Sequence, residues 1–232
     1  MQSPKTFKLP DRRWLILWAL IYTSFLIIDI INPTSPIASL IKYLGIFLVI
    51  IYAHRKFRTD HLLILALLFT FLADTILIWT HQFVLGIFVF CFAHFFHIAR
   101  FTKTAPKFLV PFYLIITSIF CFAIILGLPP IYSIAFVYAL SLAANVLLSS
   151  RWHKSEPKNP AGLYAALGFL LFFFCDLFVG IQYLASQHIA PTALYGIATF
   201  FVWLFYYPAQ ILISNSSTET TTKTIAKKPN TL

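Results

Sequence analysis

Residues Leu65–Arg100, LALLFTFLADTILIWTHQFVLGIFVFCFAHFFHIAR, belong to two apolar runs, Leu62–Trp79 and Phe83–Ala99, separated by a very short turn. Each run is long enough to cross a hydrocarbon core of about 30 Å as an α-helix. Each also keeps one ionisable group in its interior, Asp74 in the first and His94 in the second. A charge at that depth costs about 2.5–3.5 kcal/mol on insertion scales, so a helix that retains one has a partner or a task for it. A candidate partner, Asp176, lies in the similar run Gly168–Gln182, GFLLFFFCDLFVGIQ.

The whole chain repeats this character. Its 232 residues are 60% hydrophobic and only 10% charged, where a soluble domain carries about 25% charged residues. So much apolar surface calls for lipid as the solvent, and the chain reads as a polytopic membrane protein. A net charge of +10 would suggest nucleic-acid binding in a soluble protein. Here the basic residues gather in short loops and tails, so topology accounts for them and no nucleic-acid partner is expected. Cys91, Cys121 and Cys175 all fall inside apolar runs, which argues against a disulfide framework; Cys91 and Cys175 read as ligands or, the commoner case, as small apolar filling.

Eight runs have spanning length: Trp14–Ile31, Ile37–Ala53, Leu62–Trp79, Phe83–Ala99, Phe108–Leu126, Ile131–Ser149, Gly162–Ala185 and Thr192–Ser214. The N-terminal segment carries Lys5, Lys8, Arg12 and Arg13. The even loops carry Arg55, Lys56 and Arg58, then Arg100, Lys103 and Lys107, then Arg151, Lys154 and Lys158. The odd loops, NPTSP, THQ, GLPP and SQHIAP, have no Lys or Arg. By the positive-inside rule both termini are cytoplasmic. The expected fold is an all-α membrane bundle of eight transmembrane helices. It comprises a basic segment at 1–13, the membrane domain at 14–214 and a tail at 215–232, rich in Ser, Thr and Lys, that reads as disordered. The first run is too long for a signal-peptide core and reads as a retained span.

Orientation sets depth. Lys42 falls in the outer third of the second span, Asp74 in the outer half of the third, His94 near the middle of the fourth and Asp176 somewhat past the middle of the seventh. At 1.5 Å per residue these groups lie within roughly two helical turns of one level. An internal echo, LLFTFLAD in span three and LLFFFCD in span seven, points to two four-helix halves related by parallel duplication.

Intramembrane carboxylates are functional by default, which singles out Asp74 and Asp176, the latter with Gly168 and Gly180 on its helix for close approach. His94 reads as a ligand, an acid/base group or an interhelical hydrogen bond. His97 shares its face at a spacing that metal sites use, although hydrogen bonding is the commoner outcome and no metal is assigned. Lys42 either serves the site or snorkels outward, and Asp29 reads as interfacial. Tyr206, Tyr207 and Gln210 place two phenols and an amide near the cytoplasmic end of span eight. Asn145 reads as interhelical glue. The chain has no phosphate-cradling glycine loop, CxxC pair, HExxH or GxSxG elbow, which argues against ATP hydrolysis, zincin chemistry and the common serine-hydrolase plan.

Taken in order, several short segments resemble the YhhN-type family, the lysoplasmalogenases, eight-span enzymes of bacteria and animals. They are Lys42-Tyr43, Leu72-Ala73-Asp74-Thr75-Ile76-Leu77, and Gly86-Ile87-Phe88-Val89-Phe90 followed by His94. Gly168–Asp176 and Tyr206-Tyr207-Pro208-Ala209-Gln210 follow. The correspondence runs over about residues 36–214. Tyr43 stands where the family pattern has proline, Ala73 where it has glycine and Cys175 where it has serine.

The resemblance implies hydrolysis of the vinyl-ether bond of a lysoplasmalogen, giving a fatty aldehyde and a glycerophospho-base. It implies no cofactor, and a multi-pass protein of the bacterial inner (plasma) membrane whose partners are the bilayer and a lyso-ether-phospholipid substrate. Enol ethers cleave after proton transfer to carbon, which calls for one protonated carboxyl and a second carboxylate, the division of labour that glycosidases use. On this reading Asp74 and Asp176 form the catalytic pair and His94 orients a carboxylate or the water. Lys42 takes the phosphate or holds a carboxylate ionised, and Tyr207 and Gln210 contact substrate. Two alternatives compete: a small proton-coupled transporter using the buried Asp pair, and a metal-dependent lipid amidase built on Asp74, His94 and His97.

Overall fold

The computed structural model describes residues 10–32, 35–80, 82–102 and 106–217, apart from the side chains of 106–109. The described residues form eight α-helices: α1 (Arg12–Ile31), α2 (Pro36–Lys56), α3 (His61–Thr75), α4 (Phe83–Phe101), α5 (Pro106–Ile125), α6 (Pro130–Ser155), α7 (Pro160–Ser186) and α8 (Ala193–Ser214). A π-helical turn, Ile76–Thr80, continues α3. No strand occurs among the described residues. Four helices start on proline, at Pro36, Pro106, Pro130 and Pro160, where the missing N–H would have had no intrahelical partner anyway. Side chains close other starts: Asp60 accepts from Leu63 N at 3.1 Å and Asn159 from Ala161 N at 3.1 Å.

Among the described residues seven helices, counting α3 with its π turn, are long and apolar enough to cross a membrane. The eighth run, expected as a span from Phe108 to Leu126, forms α5, a helix of 20 residues whose apolar stretch among described side chains is Val110–Ile125. Large apolar residues such as Leu20, Ile31, Val110 and Ile125 stand exposed on the outside of the bundle, as a lipid-facing surface requires.

Six helices close a ring in the order α2, α3, α4, α6, α7, α8 and back to α2. Helix α1 packs outside against α2 and α8, and α5 packs outside against α6 and α4. Advancing every helix by four turns each of these contacts into another, so the two halves are equivalent in connectivity. That is the arrangement expected from the echo between spans three and seven.

Helix α8 contains Pro208, which has no N–H to offer the carbonyl of Leu204 four residues back. The Tyr22 hydroxyl of α1 donates to that carbonyl at 2.8 Å and so ties the outer helix to the ring. Tyr22→Phe is expected to cost about 1 kcal/mol, read as thermal unfolding in detergent. In a Pro208→Ala background, where the helix supplies its own donor, most of that cost should vanish.

The basic end of the bundle departs from the sequence reading. Arg100, expected among loop charges, is 1% exposed and donates from Nη2 to Ser216 Oγ at 3.0 Å. Ser217 Oγ donates to Asp60 Oδ2 at 2.8 Å. The Tyr52 hydroxyl donates to Asn215 Oδ1 at 2.7 Å, and Lys56 Nζ donates to both oxygens. Asn215–Ser217 therefore belong to the packed bundle and not to a disordered tail, because buried polar groups at the helix ends recruit them as partners. The rest of the expected tail, from residue 218, lies outside the described residues, as do Lys5, Lys8 and Lys103.

Candidate active site

The interior of the ring is lined by aromatic rings with two carboxyls set among them. Asp74 lies on the last turn of α3 before the π turn and is 6% exposed. Its Oδ2 accepts a hydrogen bond of 2.6 Å from the Tyr206 hydroxyl of α8, across the ring. Asp176, midway along α7 and partly buried, accepts 2.6 Å from the Tyr138 hydroxyl of α6. Both bonds lie at the short end of the range for O–H···O hydrogen bonds. Each carboxyl thus has one oxygen held by a phenol.

The two pairs are joined by packed rings. Phe172 lies 5.4 Å from Tyr206 and 5.4 Å from the His94 ring, and His94 lies 4.8 Å from Tyr138, centroid to centroid. Cys175, 2% exposed, is within electrostatic reach of both carboxyls. Local features aim these groups inward. The π turn after Asp74 sets Leu77 so close to Gly86 of α4 that any Cβ there would overlap it, and π turns recur beside functional sites. Gly168 brings α7 against Ile213 and the Ala209 carbonyl of α8, the close approach its sequence position suggests.

His94 is 1% exposed. Asn145 of α6 contacts its Nδ1 at 3.2 Å and its backbone carbonyl at 3.2 Å, so Asn145 does bridge two helices. His97 packs on Phe169 at 5.0 Å and its Nδ1 finds no hydrogen-bond partner among the described residues. Among the described residues no group of three or more His, Cys, Asp or Glu is placed to hold a metal ion, so the amidase reading has no donor set there.

Lys42 departs from the expected grouping. Its Nζ contacts both oxygens of Asp29 on α1, at 2.8 and 2.7 Å, and lies 4.9 Å from the Trp203 ring. Asp29, expected at the interface, is 1% exposed. An ammonium this deep cannot stay unpaired, and the end of α1 supplies the nearest carboxylate. Lys42 therefore holds neither central carboxyl ionised. One ring, Trp203, separates it from Tyr206, to which Trp203 packs edge-on at 5.4 Å.

Of the two adjacent tyrosines the sequence favoured Tyr207, yet Tyr206 faces Asp74. Tyr207, fully buried, points to the α1–α2 side, against Gly45, Tyr22 and Phe25. Gln210 is buried one turn on. Tyr138 was missed altogether, although a tyrosine at the middle of an apolar run, far from either interface belt, needs a partner for its hydroxyl. That was a usable signal.

The sequence model of the YhhN family matches residues 37–217. The match takes in both carboxyl–phenol pairs, His94 and Asn145, and leaves out α1. No curated protein and no solved structure matches the chain.

Proposed function

The chain belongs to the YhhN family, and we propose that it works as an intramembrane lipid hydrolase cleaving the vinyl-ether bond of lysoplasmalogens. The observation that carries this reading is the pair of carboxyls, Asp74 and Asp176, each bound by a phenol within one enclosed aromatic interior. Vinyl-ether cleavage needs that equipment. One carboxyl, protonated, gives its proton to the outer alkenyl carbon, and the π electrons form the new C–H bond. The positive charge that appears on the ether carbon is shared with the ether oxygen. The other carboxylate takes a proton from water as its oxygen adds to that carbon, giving a hemiacetal. Collapse expels the glycerol oxygen, which is protonated in turn, and leaves a fatty aldehyde. Aromatic walls of Phe172, Phe90 and Tyr138 accommodate the cation without competing as nucleophiles.

An apolar groove of about 490 Å³ between α4 and α6, lined by Phe83, Val84, Leu85, Phe88 and Ile134, suits the alkenyl chain. Ile134 lies one turn from Tyr138 on the same face, so a chain in the groove leads to the Tyr138–Asp176 pair. The phosphate would exchange with Asp29 for Lys42, beyond Trp203. Both termini are placed in the cytoplasm, on the charge of the loops.

The test is mass spectrometry of purified protein in detergent with 1-alkenyl lyso-phosphatidylethanolamine, scoring fatty aldehyde and glycerophosphoethanolamine. Release of both supports the reading, and intact lipid under all conditions sinks it. Tyr206→Phe, which removes only the donor to Asp74, is expected to lower turnover about tenfold, the worth of one hydrogen bond to a charged group. The same assay reads it. The equivalence of the two four-helix halves favours a second reading, a proton-coupled transporter. That reading predicts solute flux in vesicles with no chemical change in lipid.

A further inference from the structure

The side-chain amide of Asn145 has its Nδ2 3.2 Å from three acceptor positions. They are the carbonyl of Ser141 on its own helix, the carbonyl of His94 on α4, and Nδ1 of the His94 ring. Two of these are backbone oxygens, which only accept. The atom facing them must be the NH₂, because a reversed amide would set its oxygen against two carbonyl oxygens. This orientation dictates the state of the ring. The NH₂ has two hydrogens to share among the three positions, and an Nδ1–H would be set against those hydrogens with no acceptor, so Nδ1 is bare and the proton of the imidazole sits on Nε2. The same orientation leaves Asn145 Oδ1 enclosed without a donor among the described residues, which the two carbonyl contacts outweigh.

Nε2 of His94 is itself enclosed and has no hydrogen-bond partner among the described residues. Buried donors are paired in the great majority of cases, and this one belongs to a ring packed against Tyr138, the donor to Asp176, and against Phe172, which also packs on Tyr206. We infer that Asn145 is a positioning residue that holds His94 as an Nε2–H donor, and that this N–H is kept for the ether oxygen of the bound lyso-ether lipid. The second half rests on the hydrolase reading; the first does not. As the hemiacetal collapses, the electron pair of the breaking C–O bond goes to the glycerol oxygen. A donor fixed at that oxygen stabilises the charge gathering there. Asn145, through the tautomer it selects, keeps that donor in place.

The experiment is nitrogen-15 NMR of histidine-labelled protein in micelles, with the His94 signals identified by their loss in His94→Gln. Wild type is expected to show a single tautomer, Nε2 protonated and Nδ1 bare. A proton on Nδ1 overturns the inference, and this arm needs no Asn145 variant that folds. Asn145→Ala is expected to show both tautomers, with turnover down about tenfold and KM unchanged. A folded Asn145→Ala protein that keeps one pure Nε2–H tautomer overturns the positioning role. Adding the saturated 1-alkyl lyso-phosphatidylethanolamine, which has an ether oxygen and no double bond to protonate, is expected to shift Nε2. An Nε2 resonance already hydrogen-bonded without lipid and unmoved by it assigns the donor to water and overturns the lipid half. These spectra require no turnover. Binding of the alkyl analogue with no aldehyde from the alkenyl lipid would sink the hydrolase reading and leave the tautomer standing.

Discussion

Asp74→Asn and Asp176→Asn proteins are each expected to release fatty aldehyde at least about 100-fold more slowly than wild type, the usual contribution of a positioned general acid or base. The substitution is chosen because it changes chemistry and spares shape. An asparagine carbonyl still accepts the hydrogen bond from Tyr206 or Tyr138, so the contacts of α3 with α8 and of α6 with α7 persist. What is lost is the proton a carboxyl gives to carbon, or the one it takes from water. Because the two groups serve one reaction, the double variant should be hardly slower than the worse single, as residues that act as a unit are not additive. Aldehyde release by mass spectrometry checks this, with thermal unfolding confirming that each variant is folded. Full turnover in either folded single variant removes that residue from the mechanism.

Lys42→Met is expected to destabilise the bundle by about 3–5 kcal/mol, the range for removing one partner of a buried ion pair. The Asp29 carboxylate has Lys42 on both of its oxygens and is 1% exposed, so its charge would be left uncompensated among Phe25 and Trp203. The double variant Asp29→Asn with Lys42→Met removes both charges at nearly constant volume and should recover most of the loss, because a buried pair contributes little net stability over a well-packed neutral one. Unfolding of the purified proteins in detergent gives the three stabilities. A Lys42→Met protein as stable as wild type would mean that Asp29 is not a buried charge. The same variants separate two roles of the pair: a double variant that is stable but binds lipid poorly assigns Lys42 to the phosphate.

The sequence by itself determined that this chain is an all-α membrane bundle, because hydropathy and loop charge are local quantities that depend on stretches of about 20 residues. It also gave the expectation that Asp74, His94 and Asp176 share one level, since depth along a helix follows from counting residues at 1.5 Å each. Which side chains meet at that level was beyond it. In lipid every apolar face is satisfied, so the pattern of a span such as Gly162–Ala185 does not mark the face turned inward. Only the tertiary structure turned Tyr206 toward Asp74 and Tyr207 away, paired Lys42 with Asp29 on the neighbouring outer helix, and brought Tyr138 to Asp176. It also drew Asn215–Ser217 and Arg100 into the basic end of the bundle. Those pairings depend on the lateral order of the helices and on the rotation of each about its axis. Both are set by close packing at positions such as Gly86 and Gly168, where the partner lies far away in sequence.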